Sequence, residues 1–297
     1  MSMADADPAR PLRIASVGGR ELTLRILSAL VLAPLALGVA YVGGWPFVVF
    51  WGVAATLVLW EWTSLVAGED RRAVVMIGGA SVVLAVALAG ASGSALEGTH
   101  ETRLLGAITV LAMGMLGVAA LAPRDRRAWA ASAIPYAGLL GVAPVVLRSD
   151  ARLGFVAILF LFAVVWATDI VAYFVGRAIG GPKLSPRISP KKTWSGAVGG
   201  VAAAVAVAVV IARTAGLPDI IVVAALAAVL SICAQAGDLF ESLLKRRFGA
   251  KDSGHLIPGH GGLMDRLDGF VAAAVIAAMI GFARGGLDAP ARGLLVW

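Results

Sequence analysis

The chain has 297 residues, 60% of them apolar and only 14% charged, with a formal net charge of +7. Its mean hydropathy of +0.89 excludes an ordinary soluble domain, in which about 25% of residues are charged, and a disordered chain, which needs low hydrophobicity. The class that remains is an all-α, polytopic integral membrane protein.

Residues 1–25 contain Asp5 and Asp7 and no apolar core, and read as a cytoplasmic tail. Spans of about 20 apolar residues are expected at 26–42, 46–66, 73–90, 104–121, 128–147, 153–176, 196–213, 217–237 and 268–283, about nine in all. The fifth contains Pro135 and Pro144, which predict a kink or partial re-entry. The first run lacks the flanks of a cleaved leader and is read as an uncleaved span. With the N-terminus inside, 19 of the 25 Lys and Arg residues fall in cytoplasmic segments and six outside, as the positive-inside rule requires. The basic residues therefore set topology and meet anionic lipid, and nucleic acid is not an expected partner. Residues 26–150 form an N-terminal set of transmembrane helices, 151–285 a region with two long cytoplasmic loops, and 286–297 a short tail. The single cysteine, Cys233, excludes an intramolecular disulfide. The high Gly content, 36 residues, suits close helix packing within one chain or in a homodimer.

Polar residues concentrate in the second half. The exception is Glu61, between Trp60 and Trp62, which reads as an interfacial acid or as one wall of a polar cavity. Asp169 lies within the sixth span, where a lone carboxylate costs roughly 2.5–3.5 kcal/mol, so a functional site or a buried ion pair is expected there. The loop 177–195 contains Lys183 and the run Ser189-Pro190-Lys191-Lys192-Thr193. Three lysines within ten residues suit a polyphosphate or a lipid phosphate. A P-loop is excluded, because Pro182 stands where the motif needs Lys. The loop 238–267 is the densest constellation. If the eighth helix continues, Asp238 and Ser242 share a face with Lys245 one turn on, and Asp265 and Asp268 share a face at the start of the ninth. Carboxylates gathered at a membrane surface repel unless a cation joins them. Asp238 and Asp265 are the expected Mg²⁺ ligands, since Mg²⁺ takes one or two carboxylates with water and substrate phosphate. His260 is read as orienting phosphate or a carboxylate. No Cys or His partner stands at zinc spacing.

The stretch Ser242-x2-Lys245-Arg246-x4-Lys251-Asp252-x-Gly254-x3-Pro258-Gly259-His260-Gly261-Gly262-x2-Asp265-Arg266-x-Asp268 closely resembles the signature of the phosphatidate cytidylyltransferases, or CDP-diacylglycerol synthases. Asp169-x2-Ala172-Tyr173-x2-Gly176 and Ser189–Thr193 resemble that family too. One departure stands out: Ser195 occupies a position that is usually Glu or Gln there. The resemblance implies that CTP and phosphatidic acid give CDP-diacylglycerol and pyrophosphate, with the active site facing the cytoplasm of the cell membrane. It implies catalysis by positioning and charge neutralisation at Asp238, Asp265, Asp268, Lys245 and Arg246. Substrate would be held by Asp169, Lys183, Ser189, Lys191, Lys192, Thr193, Ser242, Lys251, His260 and Arg266. Mg²⁺ would sit on Asp238 and Asp265, and a paired-metal clamp would add a second cation. The alternative is a membrane transporter using Asp169 and Glu61, which would spread polar residues along a path to the outer face.

Overall fold

A computed structural model describes residues 19–66, 71–91, 99–257 and 261–297. Among the described residues nine long helices follow in order: α1 (Gly19–Val42), α2 (Gly44–Val66), α3 (Arg72–Gly90), α4 (His100–Leu121), α5 (Arg127–Arg148), α6 (Gly154–Ile179), α7 (Trp194–Thr214), α8 (Ile220–Arg247) and α9 (Met264–Gly285). A hairpin of β1 (Lys183–Ser185) and β2 (Ser189–Thr193) joins α6 to α7, and α10 (Pro290–Leu295) follows α9. Helices α2 to α9 are each long and apolar enough to cross a membrane, and α1 holds a shorter apolar run at Leu30–Val42. The chain is an all-α, multi-pass membrane protein whose helices coincide with the nine apolar runs of the sequence.

Three places differ from the sequence expectation. Helix α5 runs unbroken through Pro135 and Pro144, with no re-entrant break. Helix α8 continues through Asp238 to Arg247, so ten residues of the expected loop are helical. No Gly or Pro interrupts them, Glu241 and Lys245 pair one turn apart, and three basic residues fill the last turn, where the helix dipole favours cations. The 286–297 tail is folded: Arg284 donates to Gly293 O at 2.8 Å and Val296 O at 2.9 Å and lies 3.5 Å over the Trp297 ring.

Helices α2 to α5 pack on one another, α6 to α9 form a second consecutive series, and α5 joins the two by packing on α6 and α9. Small residues set the closest crossings, as expected where lipid gives no hydrophobic drive between helices. A Cβ on Gly196 of α7 would lie 2.6 Å from Ala172 O, and one on Gly200 would lie 2.9 Å from Thr168 O. Only glycine therefore lets α7 lie this close to α6. Thr168 and Ser231 share a buried 2.7 Å hydrogen bond between α6 and α8. At the opposite end of the bundle Arg148 donates to Ala40 O at 2.6 Å and Tyr41 O at 3.0 Å, satisfying the last carbonyls of α1.

Candidate active site

The up-and-down course brings the ends of α2, α6 and α8, the hairpin, and the starts of α7 and α9 to one end of the bundle. A cavity of 1310 Å³ opens there. Thr193 fixes its α7 wall: as N-cap its side chain accepts from Gly196 N at 3.2 Å, which aligns β2 and its lysines with the first turn of the helix. Ser195, the departure from the family pattern, donates to Gly180 O and lies 3.0 Å from the Thr193 hydroxyl. Here the position ties the start of α7 to the end of α6.

The start of α9 is organised by two carboxylates. Its first N–H groups have no partner within the helix, and Leu263 at the cap supplies no side-chain bond. Asp265 Oδ2 accepts from Gly262 N, Ser253 N and Ser253 Oγ, each at 3.0 Å. Glu61, from α2, accepts from Leu263 N at 2.9 Å, Met264 N at 2.7 Å and Ser253 Oγ at 3.2 Å. Negative charge at a helix N-terminus is favourable. The other oxygen of Asp265 meets Lys245 Nζ at 2.5 Å, and the same ammonium lies 2.5 Å from Glu241 Oε2. Lys245 thus holds two carboxylates, one from its own helix and one from α9.

A second ion pair joins Lys192 of β2 to Asp238 of α8, and Ser242 donates to Asp238 Oδ1 at 3.4 Å. Asp268 is brought alongside by a close crossing of α8 and α9. A Cβ on Gly237 would lie 2.6 Å from Asp268 O, and one on Gly269 would lie 3.0 Å from Ala234 O. Asp268 lines the same cavity as Asp238 and Asp169. Asp169 lines the cavity, ten residues before the end of α6 and so about 15 Å inside it.

Below these charges the cavity is apolar. Trp51 of α2 stacks on Phe270 of α9 with ring centroids 4.9 Å apart, and Phe162 of α6 lies 5.3 Å from Phe270 and 5.2 Å from Trp166. Leu32, Ala33 and Ala36 of α1 continue this wall. The site therefore has a charged mouth and a hydrocarbon-like floor.

Of the residues singled out from the sequence, Asp169, Lys183, Lys191, Lys192, Thr193, Asp238, Lys245, Asp265, Arg266 and Asp268 line the cavity. Ser242 acts one step behind it, on Asp238. Ser189 lies in β2 opposite Ser185. Arg246 is exposed and reaches Ala250 O at 3.4 Å, and Lys251 is exposed on the following turn. His260 lies outside the described residues. Two contributors, Glu241 and Gln235, were not read from the sequence, and Asp252 was read only as part of the signature. Glu241 is fully buried yet looks like one more charge on a helix end. Gln235 and Asp252 line the cavity; the i, i+3 spacing of Gln235 to Asp238 was the available signal.

The sequence pattern of the cytidylyltransferase family matches residues 23–283. The chain belongs to this family. It is similar to the phosphatidate cytidylyltransferase of Brucella abortus biovar 1, 44% identical over 266 residues that cover 88% of this chain and 93% of the relative. It is also similar to that of Pseudomonas aeruginosa, 35% identical over 273 residues, 88% of this chain and 97% of the relative. The Haemophilus influenzae phosphatidate cytidylyltransferase is 31% identical over 276 residues, 84% and 94%. The match runs through α1 to α9, so the N-terminal helices belong to this family member's common architecture together with the motif-bearing half.

Proposed function

We propose that the chain transfers the cytidylyl group of CTP to phosphatidic acid, giving CDP-diacylglycerol and pyrophosphate. The observation that carries this reading is the division of the cavity into a mouth of lysines and carboxylates and a floor of aromatic and aliphatic side chains. That division matches a lipid phosphate whose acyl chains stay in the bilayer and a nucleotide arriving from water. A phosphomonoester oxygen of the lipid forms a bond to the α-phosphorus of CTP. The bond from that phosphorus to the bridging oxygen breaks, and pyrophosphate leaves with the electron pair. The nucleophile is already an anion, so the obstacle is the meeting of two anions, and positioning with charge neutralisation is what the chain must supply.

Lys183, Lys191, Lys192, Lys245 and Arg266 line the mouth as cations for the two phosphate groups. Lys192 and Lys245 are paired with Asp238 and Asp265. Arrival of phosphate lets each ammonium turn to it and frees a carboxylate oxygen. Among the described residues no three His, Cys, Asp or Glu side chains form a ready metal cage. Asp238, Asp265 and Asp268 carry the hard oxygens that Mg²⁺ takes together with water and phosphate. These residues would hold the ion, which when bound supplies charge neutralisation on the triphosphate. The transporter alternative has no support: the charged side chains gather at one end, and apolar rings lie beneath them. The 19-to-6 excess of Lys and Arg in the sequence segments expected on the site's side supports a cell-membrane orientation with the site and the N-terminus cytoplasmic.

The test is CTP labelled at the α-phosphate or at the γ-phosphate, incubated with phosphatidic acid and purified chain in mixed micelles. The α-label should become lipid-extractable and the γ-label should not. Both labels appearing in lipid, or neither, contradicts the reading.

A further inference from the structure

Glu61 lies 202 residues before Leu263, in a helix outside the signature, yet it holds the signature's turn. It is fully buried, and no ion pair to it forms among the described residues. A buried carboxylate without a cation is tolerated only when its hydrogen bonds are met. Here the donors are the first N–H groups of α9 and the Ser253 hydroxyl. A local Ser, Thr or Asp at the cap is the ordinary solution; this chain has Leu263 there and assigns the cap to α2. The single Ser253 hydroxyl hydrogen is shared between Glu61 Oε2 and Asp265 Oδ2, so the two carboxylates belong to one network. Two glycines of the turn are also accounted for. A Cβ on Gly254 would lie 2.7 Å from Glu61 Oε1, and one on Gly262 would lie 2.9 Å from the same atom and overlap Ser253 Oγ.

We infer that Glu61 is a positioning residue for the transfer reaction: it fixes Ser253 and the first turn of α9, and through them the placement of Asp265 and Asp268 against Asp238. The inference rests on the function proposed above. Outer residues that orient a site in this way change activity by about 10–100-fold when altered. They should do so in kcat, because the alignment they set is realised in the transition state.

The experiment compares the wild-type chain with Glu61→Gln in steady-state assays of CTP and phosphatidic acid turnover, with hydrogen exchange read at the amides of Leu263 and Met264. The expected result is a kcat reduced about 10–100-fold, with both KM values within about two-fold, and faster exchange at those two amides while the interior of α9 stays protected. A purely structural role would lower the yield of folded protein and leave kcat per folded molecule unchanged. If Glu61→Gln does not fold, Gly254→Ala decides, since the three atoms nearest its new methyl all belong to Glu61: it should show the same kcat loss. An active wild type beside a folded variant with unchanged kcat, or with only KM altered, overturns the inference alone. An inactive wild type overturns the proposed function and this inference with it.

Discussion

Lys245 is the residue on which the site's charge balance turns. Its ammonium lies between Glu241 Oε2 and Asp265 Oδ1, 2.5 Å from each, and all three side chains are largely buried. Removing one partner of a buried ion pair costs about 3–5 kcal/mol, because it strands the other charge. Lys245→Met strands two carboxylates, so a stability loss at the upper end of that range is expected, with activity abolished. The double variant Lys245→Met, Glu241→Gln removes one stranded charge and should regain part of the stability without regaining activity. Thermal unfolding in detergent with a double-mutant cycle checks this, and additive losses would show that Lys245 and Glu241 do not share the site. At this scale the sequence was only partly legible. Asp238, Asp265, Asp268 and the lysines carry a motif and were readable. Glu61 was legible only as an interfacial acid or a cavity wall, and Glu241 not as part of a site, because what distinguishes them is burial and a partner. For Glu61 that partner is 202 residues away, which no local pattern encodes.

Among the elements, the crossing of α8 and α9 sets where Asp268 stands relative to Asp238. Gly237 faces the backbone of α9 at that crossing, and a Cβ would stand 2.6 Å from Asp268 O and 2.8 Å from the Ala272 Cβ. Neither neighbour is the end of a flexible side chain, so the helices must part. Gly237→Val should cost about 1–3 kcal/mol by overpacking and should reduce kcat sharply. Gly79→Ala in α3 meets nothing within 4 Å and should leave kcat unchanged while keeping or raising stability, since alanine is the better helix former. Equal effects of the two substitutions on kcat would contradict the crossing as the device that gathers the carboxylates. The helices themselves were legible as apolar runs. Their ends were less so: polar residues 238–247 look like a loop by composition, but i, i+4 pairing and the dipole keep them helical. The tail 286–297 likewise gave no sign that Arg284 folds it back onto α9.

For the whole molecule, the charged residues of the cavity gather at one end of the bundle, and the proposed function requires that end to face the cytoplasm. Single cysteines introduced at Arg187, in the hairpin turn, and at Arg152, in the turn between α5 and α6, report this directly when Cys233 is replaced by Ala. A membrane-impermeant thiol reagent should label Arg187→Cys only in inside-out vesicles and Arg152→Cys only in right-side-out cells. The reverse pattern would place the site on the side away from CTP. The most direct test of the central claim is pyrophosphate release by the purified chain in mixed micelles, with CTP, phosphatidic acid and Mg²⁺ each omitted in turn, beside Asp265→Asn. The account predicts release that requires both substrates and the metal and is lost in Asp265→Asn while that variant remains folded in the membrane fraction. Release without phosphatidic acid, release undiminished in Asp265→Asn, or no release from well-folded wild-type protein would contradict it.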